Sequence, residues 1–201
     1  MPLNDLSLVV DCHQFMRDDD ITYQHDIKGN FLVAGIKPLQ HFVSLLPLDD
    51  SEFFLENREA GIVNIGGKGS VSADGVIYEM PALSCTYLGM GTTDVRFYSE
   101  DERNPALFLL ISLEADFSFP NHMVLITEAT SIPSLPDQDG GPVLVYIRPG
   151  GIQSCQLQMG IAIGTDPEIV IKNTFDSQVT PVILYSFNYD HPSFIWAFGT
   201  R

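Results

Sequence analysis

Turn chemistry constrains this chain more than any other feature. Ser70-Val71-Ser72-Ala73 and Val76-Ile77-Tyr78-Glu79 flank Asp74-Gly75. A two-residue type I′ connection needs positive φ at both central positions, which Asp tolerates and Gly accepts freely. The sequence therefore predicts a tight β-hairpin here. It predicts a second hairpin where Gly89-Met90-Gly91 separates Leu83 to Leu88 from Asp94 to Tyr98. Phe31 to Ile36, His41 to Leu46, Gly61 to Ile65 and Ala106 to Leu113 read as further strands, the last of them apolar enough to be buried on both faces. No stretch repeats apolar residues at helical spacing over three turns. Short strands at this spacing, with turn residues between them, describe a sandwich or small barrel.

A break follows at 116–142, where Pro120, Pro133, Pro136 and Pro142 accompany the run Asp137-Gln138-Asp139-Gly140-Gly141. Beyond it, Val143 to Ile147 is a strand, and Ser154 to Ile161 alternates polar and apolar like a half-buried strand. Ile169 to Ile171, Val182 to Tyr185 and Phe194 to Phe198 complete a second β-segment. The expected organisation is an N-terminal arm (1–20), a first β-barrel (21–115), a linker (116–142) and a shortened second β-domain (143–201). The acidic run at Arg17-Asp18-Asp19-Asp20 reads as a solvated part of the arm.

With 201 residues, 45% of them hydrophobic, the chain can bury a core. Its 26 acidic and 10 basic residues give a net charge of −16, which repels phosphate backbones and anionic lipid. Nucleic acid and membrane are therefore not expected as partners. An anionic sugar ligand would need a local basic patch. Cys12, Cys85 and Cys155 are widely spaced and form no C-x-x-C, which fits buried thiols in a reducing cytoplasm. The first residues carry no basic region followed by an apolar core, so no signal peptide is expected. Gly66-Gly67-Lys68-Gly69-Ser70 lacks the spacing of a phosphate loop and is not followed by a helical pattern, so its glycines read as tight turns.

The stretch Phe53-Phe54-Leu55-Glu56-Asn57-Arg58-Glu59-Ala60-Gly61-Ile62-Val63-Asn64-Ile65-Gly66-Gly67 carries the densest chemistry. Arg58 could fork onto a substrate carboxylate, and Glu59 could act as an enediol base if buried. The same trio of Glu56, Arg58 and Glu59 could instead be an ion-pair staple at a barrel end or subunit contact, and this is the favoured reading. Tyr78, Tyr87, Phe97 and Arg96 could line a ligand-binding barrel mouth, and Arg58 or Lys37 could stabilise charge in a replaced active site.

This stretch closely resembles a signature of the 5-keto-4-deoxyuronate isomerase (4-deoxy-L-threo-5-hexosulose-uronate ketol-isomerase) family. Tyr23-Gln24-His25-Asp26, Val33 to Pro38, Gly69 to Gly75, Tyr87 to Gly91, Ser154 to Gly160 and Phe194-Ile195-Trp196 extend the likeness. The resemblance implies an all-β fold of two cupin-type barrels, the second incomplete here, and a role in pectin and uronate breakdown. It also implies ring-forming oligomers, made either of this chain alone or with a full-length paralogue. In that family zinc is held in the second barrel by an H-x-H pair, a Glu and a distant His. Here Asn173-Thr174 leads instead into Phe175-Asp176-Ser177-Gln178-Val179-Thr180-Pro181, without His or Glu. The five histidines, His13, His25, His41, His122 and His191, are scattered. A set of Asp176, Asp190 and His191 would have no H-x-H to anchor it. No bound zinc or other cofactor is therefore expected. The chain is expected to be a sugar-acid-binding or structural and regulatory oligomer subunit. The alternative is an active aldose–ketose isomerase with a replaced site.

Overall fold

The computed structural model describes residues 15–25, 31–48, 50–132, 143–148, 151–163, 182–187 and 194–198. Nine strands build the first half: β1 (Ile21–His25), β2 (Phe31–Ile36), β3 (Val43–Ser44), β4 (Arg58–Asn64), β5 (Gly69–Ala73), β6 (Val76–Met80), β7 (Cys85–Leu88), β8 (Val95–Ser99) and β9 (Phe108–Glu114). After them come β10 (His122–Val124), β11 (Thr130–Ile132), β12 (Val143–Ile147), β13 (Gln158–Ile163), β14 (Val182–Phe187) and β15 (Phe194–Phe198). Among the described residues no helix is long and apolar enough to cross a membrane.

The strand orders define the architecture. One sheet runs β1-β2-β9-β4-β7-β10 and a second runs β3-β8-β5-β6. The eight strands β2 to β9 thus divide four and four between two facing antiparallel sheets, β2-β9-β4-β7 and β3-β8-β5-β6, which is jelly-roll topology. The all-β, cupin-like class expected from the sequence is the class observed. The third sheet, β11-β12-β13-β14-β15, is antiparallel except for the parallel pair β13 and β14.

Side-chain alternation distributes the apolar residues between two cores. Leu32, Ala34, Ile36, Ala60, Ile62, Leu88, Phe108 and Leu110 of the six-stranded sheet meet Val43, Val71, Ala73, Met80, Val95 and Phe97 of the four-stranded one. Phe97 and Phe108 pack with ring centroids 5.3 Å apart in the middle of this space. The jelly-roll interior is thereby filled by side chains. The opposite face of the six-stranded sheet is buried as well. Val33, Val63, Cys85, Tyr87, Leu109, Ile111 and Leu113 pack against Leu144, Tyr146, Ile147, Leu157, Met159 and Ile161. A sheet covered on both faces needs strands apolar throughout, and β9 is buried from Phe108 to Leu113.

The Asp74-Gly75 hairpin forms as the sequence predicts, with φ of 49° and 83° at its two turn residues. Asp74 also accepts bonds from the Thr93 and Asp94 amides and the Thr93 hydroxyl. Burial works against its charge, but these donors outweigh it and hold the carboxyl below its usual range. The hairpin expected around Gly89-Met90-Gly91 does not form. β7 pairs with β4 and β10, whereas β8 pairs with β3 and β5, so the segment is an arch between sheets. Its turns are tied to other parts of the chain: the Gly91 amide donates to the Leu55 carbonyl, and the Asn121 side chain accepts from the Gly89 amide and the Thr92 hydroxyl. The strand expected from Ser154 starts only at Gln158, for a reason the candidate site supplies. The expected strand at Ile169 to Ile171 lies outside the described residues.

Replacing Phe97 with Ala would open a cavity between the jelly-roll sheets and destabilise the fold by about 3–5 kcal/mol. Urea denaturation of the purified variant measures this directly.

Candidate functional site

Successive residues of β4 point to opposite faces of the central sheet. Ala60 and Ile62 enter the jelly-roll interior, while Glu59, Gly61 and Val63 face the segment 144–161. Glu59 is fully buried. A bare carboxylate in that position would be strongly disfavoured, so its partners decide what it can do. One oxygen, Oε2, accepts the Tyr87 hydroxyl at 2.7 Å and the Cys155 amide at 2.7 Å. The other, Oε1, accepts the Gln156 amide at 2.6 Å and the Leu157 amide at 2.7 Å. Three consecutive N–H groups thus converge on one side chain, an anion-binding backbone nest closed by an internal carboxylate. These amides are lost to any ladder, which is why β13 begins after Leu157. Burial pushes the Tyr87 phenol well above its usual range, and the hydrogen bond to Glu59 and that residue's charge push it further.

Two residues along, Gly61 lets the same segment come close. A Cβ there would lie 2.6 Å from Met159 Sδ and 2.8 Å from Leu157 Cδ2. Glu59 and Gly61 therefore form one seat: one grips the 155–157 backbone and the other leaves room for the side chains that follow.

The remaining charges of the motif go elsewhere. Arg58 donates from Nε to Ser112 Oγ at 3.0 Å and from Nη2 to the Ser112 carbonyl at 2.9 Å. The Ser112 hydroxyl donates in turn to the Glu59 carbonyl at 2.9 Å. Glu56 accepts the Glu52 amide at 2.9 Å within an exposed loop. Glu59 is thus anchored by backbone amides and a phenol, a kind of donor that a reading of side-chain charges does not supply.

The other candidates are dispersed. Lys37 pairs with Asp18 at 2.5 Å, beside the Asp19 carboxylate that accepts the amides of Leu39, Gln40 and His41. Arg96 lies on the outer face of the four-stranded sheet, paired with Asp94 at 2.9 Å and 5.4 Å from the Phe42 ring centroid. Tyr78 packs against the jelly-roll interior, Phe97 is buried within it, and Tyr87 is buried on the far side of the central sheet. The structure brings Glu59 and Tyr87 together and does not gather Arg58, Lys37, Arg96 and Tyr78 around them.

Sequence reasoning missed Asn64. This buried side chain donates to the carbonyls of Gly67 and Met80, both at 2.7 Å, and accepts the amides of Gly66 at 3.1 Å and Leu107 at 3.2 Å. It satisfies the polar groups around the Gly66-Gly67 turn. A polar residue ending an apolar strand just before paired glycines was the available signal.

Among the described residues no three His, Cys, Asp or Glu side chains come together in a way that could hold a metal ion. His25, His41 and His122 are exposed and lie on separate segments. The described donors do not fit a zinc centre. His13, Asp176, Asp190, His191 and the stretch Phe175 to Pro181 lie outside the described residues.

Comparison with known proteins gives a consistent set of relatives. The chain is 39% identical over 136 residues to the 4-deoxy-L-threo-5-hexosulose-uronate ketol-isomerase of Halalkalibacterium halodurans, covering 66% of this chain and 49% of that one. It is 40% identical over 153 residues to the enzyme of the same name from Lachnoclostridium phytofermentans, covering 71% and 55%. With the Caldicellulosiruptor bescii enzyme the identity is 41% over 128 residues, covering 60% and 46%. The chain spans about half the length of the curated relatives it matches. No family model matches it. Among solved structures, a cupin 2 conserved barrel domain protein from Salinispora arenicola aligns with a TM-score of 0.34 at 13% identity, covering 57% of this chain and 87% of that one.

Removing the Glu59 carboxylate should unseat the 155–157 turn. Glu59→Ala leaves three amides and a phenol without their acceptor and should cost about 3 kcal/mol or more. Tyr87→Phe removes one bond to a charged acceptor and should cost about 1.5–3 kcal/mol. Denaturant titration of both variants reads these losses, and values near zero would show that the carboxylate does not anchor the turn.

Proposed function

Because the chain belongs, through about two thirds of its residues, to the 4-deoxy-L-threo-5-hexosulose-uronate ketol-isomerase family, we propose that it keeps the jelly roll as a scaffold and has lost the zinc-dependent site. In this reading it acts as a cytoplasmic structural or regulatory oligomer subunit. The observation that carries the proposal is the employment of Glu59. A general base needs an oxygen directed at the proton it removes. Both Glu59 oxygens face protein donors at 2.6–2.7 Å, in a position closed to solvent. Arg58, the other reactive group of the signature, is likewise engaged with Ser112.

Two further features support the reading. Phe97, Phe108, Leu110 and Met80 occupy the space between the jelly-roll sheets, where a cupin would receive a ligand. The sequence offers no H-x-H pair anywhere. A ketol-isomerase must stabilise an enediolate, and a divalent ion polarising both oxygens is the effective way to do so. The chain retains the packing function of its signature residues and lacks an identifiable electrophile.

The experiment is a metal analysis of the purified chain combined with a 5-keto-4-deoxyuronate isomerisation assay, before and after incubation with zinc. Zinc well below one equivalent and no conversion above the buffer rate are expected in both states. One equivalent of zinc retained through dialysis, together with turnover, would contradict the proposal and favour an active isomerase with a replaced site.

A further inference from the structure

We draw no further inference here: the strongest candidate, the outer face of the four-stranded sheet where Phe42, Tyr98 and Arg96 stand beside Ser70, Ser72 and Ile77, carries nothing because no feature of the structure shows what covers it.

Discussion

A buried carboxylate with four donors around it is the contact on which the rest of this molecule's arrangement depends. Glu59 draws the amides of Cys155, Gln156 and Leu157 onto the central sheet and holds the Tyr87 hydroxyl beside them. Without those donors the charge could not be buried there, and without the charge the amides would lack acceptors. The requirement is mutual, so the packing of 144–161 on the first half is fixed in position as well as driven by apolar burial. Gly61, next but one along the same strand face, lets Leu157 and Met159 approach. The six-stranded sheet thereby becomes the middle layer, with the jelly-roll interior on one side and the later segment on the other.

How much of this could be read from the sequence varied with the distance over which each feature is determined. The Asp74-Gly75 hairpin was legible because two adjacent residues fix it, and positive φ at those positions leaves few alternatives. The apolar run at β9 announced burial on both faces and has it. The Gly89-Met90-Gly91 turn misled because glycine marks a change of direction without saying which strand comes next. The choice between hairpin and arch was made by Leu55 and Asn121, 36 and 32 residues away from the amides they bind. The sequence offers Glu59 as a base or as part of an ion-pair staple with Glu56 and Arg58, whereas one of its partners is the Tyr87 hydroxyl and the other three lie 96 to 98 residues on. Those three are backbone amides, which no pattern of side chains reveals. The same contact explains the late start of β13, where alternation alone had predicted a strand from Ser154.

The signature motif illustrates why a family likeness and a chemical role are separate inferences. The chain belongs to a family whose curated members are ketol-isomerases, and the stretch that resembles the family signature contains Glu59, Gly61 and Asn64. Each of these has a packing task here: an anchor for a distant turn, room for approaching side chains, and satisfaction of the Gly67 carbonyl and the Gly66 amide. Such tasks would preserve the motif in a jelly roll whether or not any reaction took place nearby. The proposed subunit role follows from treating the motif as architecture.

The most direct measurement of the central claim is hydrogen exchange at the backbone amides of Cys155, Gln156 and Leu157. Gln156 is an exposed residue, and its amide donates to Glu59 Oε1 at 2.6 Å. An anchored turn predicts protection at all three sites comparable with that of the β4–β9 ladder. Exchange at near-unprotected rates in this turn, with the ladder still protected, would contradict the account.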